Sequence, residues 1–233
     1  MATPISANRQ RRVWTKRAEG WDHGSVTGLE VVIDTVLDRA QPQPGEFAVD
    51  LGCGTGALTI PLARRCGQVL AVDVSDAMID RLRARLSDAG LGNVETRTVP
   101  IEQLELPPAS VDLVVSNYAL HHLRDRDKQV VVERAAIWLR PGGRLAVGDM
   151  MFGRGGEARD WAIAAGKMRA LGRRGPGGWW RIAKNLWRYL WRVQERPVSL
   201  SAWTAMFERA GFEDLSNVSV HAEAGVVAGR RKA

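Results

Sequence analysis

Two clusters of residues in this chain have types and spacing suited to chemistry. The first is Asp50-Leu51-Gly52-Cys53-Gly54-Thr55-Gly56, an aspartate followed by alternate glycines, with a second aspartate, Asp73, further on. Glycine takes positive φ and lets backbone approach a ligand that side chains would hold off. The free N–H groups of a helix that starts after such a loop face a polar ligand. Asp73 lies about 20 residues past the glycines, the spacing at which a carboxylate meets ribose hydroxyls in a doubly wound sheet. The dinucleotide fingerprint G-x-G-x-x-G is absent. The second cluster is Asn117-Tyr118-Ala119-Leu120-His121-His122. Histidine titrates near neutral pH, so His121 and His122 suit proton transfer, while Tyr118 and Asn117 suit hydrogen bonding to a substrate. The alternative for the histidine pair is structural, with one ring toward the core and the other toward solvent. The four histidines, His23, His121, His122 and His221, match no metal-ligand spacing, and no metal site is expected.

Strands and helices must hold these groups. Residues 47–51 and 69–73 are apolar runs ending beside or at an acid, and both read as buried strands. Residues 57–63 read as the helix after the glycine loop. Upstream, Leu29, Val32, Ile33, Val36 and Leu37 fall on one helical face within residues 28–40. Ser75 is placed to cap a helix running to about residue 89, with Met78, Ile79, Leu82 and Leu86 inward and Gly90 and Gly92 ending it. Residues 94–99, 111–115 and 145–149 read as three more strands, with a helix over 127–139 and a turn over 140–144. Ser199 caps a last helix to residue 210, burying Trp203, Met206 and Phe207. Residues 214–223 and 225–229 then form an antiparallel pair at the sheet edge. Strands alternating with helices require right-handed crossovers and a parallel sheet. The fold class is α/β, a doubly wound, mostly parallel seven-stranded sheet with helices on both faces.

The chain has 233 residues, with 45% hydrophobic and 25% charged side chains, which fits one globular domain. Residues 1–12 are polar and basic and read as disordered; residues 13–233 form the domain. No apolar run reaches membrane-spanning length and no apolar leader is seen. The two cysteines, Cys53 and Cys66, are too few for a disulfide framework, so a cytoplasmic setting is expected. Cys53 reads as a small loop residue rather than a nucleophile. The net charge of +7 is concentrated: residues 154–196 hold eleven Lys/Arg against three Asp/Glu.

The glycine loop with its acids resembles motif I of class I S-adenosylmethionine-dependent methyltransferases, and Val72-Asp73 resembles that motif's acidic partner. Val111-Asp112-Leu113-Val114-Val115-Ser116 through Leu120-His121-His122 is similar to motif IV in its small-molecule form, D-L-V-x-S-x-x-x-L-H-H. The [DNS]-P-P-[YF] form that methylates exocyclic amines of nucleic acid bases is absent. Arg140-Pro141-Gly142-Gly143 resembles the family's L-x-P-G-G turn, and Ala210-Gly211-Phe212 its A-G-F. The segment Trp14 to Asp22 is similar to the W-x-x-x-A-x-x-Y-D opening of the ubiquinone/menaquinone-biosynthesis group. The resemblance implies a Rossmann-like methyltransferase fold and S-adenosylmethionine as cofactor. It implies that Gly52, Gly54 and Gly56 cradle the methionine part, that Asp50 orients the loop or the amino group, and that Asp73 accepts from both ribose hydroxyls. Val74 and Met78 would line the adenine. The Ile101 backbone would reach a ring nitrogen, with Glu102 a substitute for the family's adenine-binding acid, since Pro100 stands in that acid's place; a solvent-facing Glu102 is the alternative. Asn117 and Trp21 are further cofactor candidates, and Trp21 packing on the core is equally open. Methyl transfer from a sulfonium is a displacement that needs chiefly proximity and alignment. A base is needed only if the acceptor must lose a proton, and His121 and His122 are the candidates.

Residues 151–197 break the strand–helix alternation after strand five and form a helical insertion holding five of the nine tryptophans. Within Trp179–Arg192, tryptophans and leucines share one helical face and Arg181, Lys184, Arg188 and Arg192 the other. This helix reads either as a lid over an apolar acceptor pocket or as an anchor on an anionic membrane surface. The expected partner is a small, apolar acceptor, quinone-, polyketide- or lipid-like, and not nucleic acid. The rival functions are a nucleic-acid methyltransferase and a cofactor-binding interaction protein without turnover.

Overall fold

The computed structural model describes residues 28–153, 196–220 and 223–233, together with Thr15, Trp161 and Ala165. The readings for residues 1–12, for Trp14 and Trp21, and for the body of the 151–197 insertion with its Trp179–Arg192 helix lie outside the described residues.

Seven strands form one sheet: β1 (Phe47–Leu51), β2 (Gln68–Asp73), β3 (Val94–Thr98), β4 (Val111–Asn117), β5 (Leu139–Met150), β6 (Phe212–Ser219) and β7 (Ala224–Arg231). Their order is β3-β2-β1-β4-β5-β7-β6. The first five run parallel, and β7 enters antiparallel between β5 and the edge strand β6. The described helices are α1 (Leu29–Ala40), α2 (Thr59–Ala63), α3 (Asp76–Asp88), α4 (Asp125–Trp138) and α5 (Leu200–Arg209).

Alternation along each strand feeds two cores. Val49 and Leu51 of β1, Leu70 and Val72 of β2, and Leu145 and Val147 of β5 pack with α4 and α5, around the fully buried Trp203 and Phe207. Ala48, Val69, Leu113, Val115 and Ala146 face the other way, against α1 and α2. Ala71 meets α3 through Ile79, Leu82 and Leu86. Period-2 side chains on a sheet covered on both faces produce this two-core arrangement.

Local details differ from the sequence reading. The edge strand β6 spans Phe212–Ser219 rather than residues 214–223. The glycine loop runs on as turns to Leu58, and α2 starts at Thr59 rather than at residue 57. The turn at 140–144 is absorbed into β5: Leu139 pairs with Val111 and Arg144 with Leu113, so Arg140–Gly143 bulge out of an otherwise continuous ladder. Helix α4 begins at Asp125, two residues earlier than expected.

Lys128 is fully buried on α4. Its ammonium donates to Leu123 O at 2.9 Å, Asp125 Oδ1 at 3.1 Å and Arg196 O at 2.6 Å. The Arg196 N–H in turn donates to His121 O at 2.7 Å. The chain returning at Arg196 is thus fastened at two points to the turn that carries the histidines. Lys128→Met removes the donor to the Leu123 and Arg196 carbonyls and the partner of Asp125, and loss of such a buried charged donor costs about 1–3 kcal/mol per group. Urea unfolding should show a loss of about 2–4 kcal/mol; an unchanged midpoint would show the staple to be dispensable.

Candidate active site

The carboxyl ends of β1, β2 and β4 converge where strand order reverses, the place an open α/β sheet offers a ligand. The glycine loop there is held by its own backbone. Gly52 and Cys53 donate to Val72 O at 2.8 and 2.9 Å. Gly54 N–H donates to Asp73 Oδ2 at 3.0 Å, and Arg85 of α3 reaches back to Thr55 O at 2.7 Å. Asp73 also accepts from Ser75 N–H at 2.9 Å, while Ser75 caps α3 by accepting from Met78 N–H. The strand-end aspartate therefore fixes the loop and the start of α3 together. Burial raises the Asp73 carboxyl above its ordinary range, against the backbone donors of Ser75, Gly54 and Val74.

Asp50 is 1% exposed and accepts from the Thr59 hydroxyl at 2.7 Å. Burial pushes its carboxyl up to about 7; the Thr59 hydrogen bond opposes this, and the charge of Asp73 adds to it. The Cys53 thiol is raised well above its ordinary value by burial and by Asp73 and Asp50, so it stays protonated and is no nucleophile.

One cleft, enclosing about 910 Å³ with part of it open to solvent, joins these groups to the β4 corner. Asp50, Gly52, Gly54, Asp73, Val74 and Met78 line it, together with Ile101, Glu102, Asn117, Tyr118 and His122. Glu102, half-buried, borders the cleft. Tyr118 sits at φ +51°, a conformation rare for an aromatic residue, with its N–H donating to Gly148 O at 2.8 Å. Burial, with Glu223 and Asp149 nearby, pushes its phenol up to about 12, so the hydroxyl remains a hydrogen-bond donor. Asn117 Oδ1 is buried with no hydrogen-bond partner among the described residues.

Two expected site residues stand elsewhere. Gly56 does not line the cleft; a Cβ there would lie 2.4 Å from Leu82 Cδ1, so this glycine lets α3 pack close. A Cβ on Gly52 would lie 2.2 Å from Ala119 Cβ, where loop and β4 corner touch. His121 is buried and off the cleft wall. Its ring Nδ1 lies 2.5 Å from Asp149 Oδ1 and its backbone N–H donates to Asp149 Oδ2 at 2.7 Å. A carboxylate accepts, so Nδ1 carries the hydrogen. The His122 ring rests against it, centroids 3.9 Å apart at 49°, and His122 alone of the pair meets the cleft. Trp21 lies outside the described residues.

Sequence reasoning passed over Leu29, Thr55, Leu58, Ala119 and Leu123 on the cleft wall, and Asp149 behind it. The first five carry ordinary apolar or turn signals. Asp149 did leave a trace: β5 runs into an aspartate near its carboxyl end, as β1 and β2 do. Among the described residues no cluster of three metal-ligating side chains occurs, and no helix is long and apolar enough to cross a membrane.

Comparison with known proteins places this geometry. The methyltransferase domain family matches residues 48–143. An uncharacterized methyltransferase of Geobacillus kaustophilus is 28% identical over 202 residues, covering 85% of this chain and 83% of the relative. The nocamycin O-methyltransferase of Saccharothrix syringae is 30% identical over 138 residues, 58% of this chain; the match spans about half (49%) of that enzyme. Among solved structures, the DhpI–SAH complex superposes with a TM-score of 0.70 at 19% identity, over 99% of each chain, a likeness of fold. With this strand order, the looped glycines between two strand-end aspartates and these matches, residues 48–143 are a methyltransferase domain and the chain is an enzyme of the S-adenosylmethionine-dependent methyltransferase class.

Proposed function

We propose that the chain methylates a small, apolar acceptor of quinone-, polyketide- or lipid-like chemistry, as the ubiquinone-biosynthesis-like group does. The observation that carries this reading is a cleft that joins the glycine loop and Asp73 to the wall formed by Tyr118 and His122. The residues present fit the cofactor. Open space lies beside Gly54, where a Cβ would meet nothing within 4 Å. Buried acids line the same cleft, suited to a cationic ligand, and the orphaned Asn117 Oδ1 awaits a donor.

In this reading Gly52 and Gly54 cradle the methionine part, Asp50 faces the amino group and Asp73 takes the ribose hydroxyls. Val74, Met78 and Ile101 flank the adenine, with Glu102 beside it. When bound, S-adenosylmethionine supplies an electrophilic methyl group on a sulfonium. The chain then has to align an acceptor and, for a hydroxyl acceptor, remove its proton. Tyr118, locked by its strained backbone and protonated at working pH, donates to the acceptor. His122 is the residue placed to take a proton; His121, clamped by Asp149, holds the His122 ring in place. Leu29, Leu58, Ala119 and Leu123 give the cleft an apolar surface, and no lysine or arginine lines it among the described residues. Likeness to an enzyme named for O-methylation of nocamycin supports a small-molecule acceptor.

The test is methyl transfer from methyl-labelled S-adenosylmethionine into a bacterial extract, followed by phase separation. Label should move into the organic-extractable small-molecule fraction. Label held in nucleic acid would overturn the acceptor assignment.

A further inference from the structure

Asp50 and Asp73 lie on adjacent parallel strands, and alternation puts both on one sheet face. Asp50 follows Ala48 in β1, and Asp73 follows Val69 and Ala71 in β2, with Asp50 in register with Ala71. Both are buried and both line the cleft. Asp73 is well served, accepting from the backbone N–H groups of Gly54 and Ser75 on its two oxygens and from that of Val74. Asp50 has one neutral donor, the Thr59 hydroxyl. Among the described residues no lysine or arginine acts on either carboxyl. The other titratable groups around Asp50 are the Cys53 thiol from the loop and, on the cleft wall, Glu102, Tyr118 and His122. Two buried carboxylates without a counter-cation resist ionising together, and the poorly served one keeps a proton.

We propose that Asp50 is a proton-exchange site coupled to the cofactor: a ligand that brings its ammonium and sulfonium charges against this acidic face displaces the proton of Asp50 to solvent. The inference rests on the reading of the cleft as the S-adenosylmethionine site. Binding of the cationic ligand then strengthens as pH rises through the range in which empty Asp50 loses its proton, about 7. A second consequence follows for the ligand-free protein. The folded-state value lies above the ordinary 3.8, so this group's contribution to folding is fully present below about 3.8 and is lost as pH rises from there through about 7. Asp50→Asn should remove this loss, so its Tm relative to wild type should climb between about pH 4 and about pH 7 and level off above that.

The experiment is titration calorimetry of the full chain with S-adenosylmethionine in buffers of different ionisation enthalpy, from about pH 6 to about pH 8.5. Wild type should release about 0.9 proton near pH 6, about half a proton near pH 7 and under about 0.1 near pH 8.5. Groups on the ligand titrate alike against Asp50→Asn, so the difference between the two proteins isolates Asp50. If Asp50→Asn binds too weakly to measure, the wild-type profile alone decides. Binding with less than about 0.1 proton released near pH 6, or a profile equal to that of Asp50→Asn, overturns the proposal and leaves the cofactor site standing. No binding at any pH overturns that site, and the proposal with it.

Discussion

Asp73→Ala should weaken S-adenosylhomocysteine binding by at least about tenfold, which is about 1.4 kcal/mol. In the proposed site the side chain accepts two ribose hydroxyls on charged oxygens, and each such bond is worth about 1.5–3 kcal/mol before water compensates. The structure adds a second reason. Asp73 already accepts from Gly54 and Ser75, so alanine also releases the loop and uncovers two N–H groups. Asp73→Asn keeps one acceptor for the loop and should fall between wild type and alanine. Calorimetry with S-adenosylhomocysteine measures all three. An alanine variant within a factor of two of wild type would remove Asp73 from the site.

Gly54→Val should abolish binding while the fold persists. Gly54 sits at φ +52°, where a β-branched residue is strained by roughly 1–3 kcal/mol. Nothing lies within 4 Å of a Cβ built there, so no neighbour in the protein is displaced. The space the valine fills is the space assigned to the ligand. Gly56→Val makes the informative contrast. Its first added carbon lands 2.4 Å from Leu82 Cδ1, inside the α3 core, so that variant should lose stability first and binding only as a consequence. Circular dichroism melts beside calorimetry separate the two. Normal binding by Gly54→Val would make the loop merely structural.

The contrast between these glycines shows how much of the site the sequence carried. The loop, its two strand-end acids and the β4 corner announce themselves by residue type and spacing, because backbone approach demands glycine and strand ends are fixed by apolar runs. The seven strands and the antiparallel edge pair were legible for the same reason. Which glycine faces a ligand and which faces Leu82 is not a property of spacing; it depends on where α3 packs. The adjacent histidines pose the same problem. Only the pairing of His121 with Asp149, 28 residues away, sends one ring inward and leaves the other on the cleft. The turn expected at Arg140–Gly143 is a bulge instead, because strand pairing resumes on both sides and the ladder absorbs the glycines. Lys128 gave no signal at all, since a lysine on an amphipathic helix normally points to water, and its burial rests on partners such as the returning chain at Arg196 that spacing does not reveal.

The central claim is that the cleft between the glycine loop and the Tyr118–His122 wall is where S-adenosylmethionine binds. A crystal structure of the chain grown with S-adenosylhomocysteine tests it most directly. The account predicts density for one molecule in that cleft, its ribose hydroxyls within hydrogen-bond distance of the Asp73 carboxylate and its amino-acid part against Gly52 and Gly54. Density for the ligand elsewhere on the chain, or with Asp73 turned away from the ribose, would contradict it.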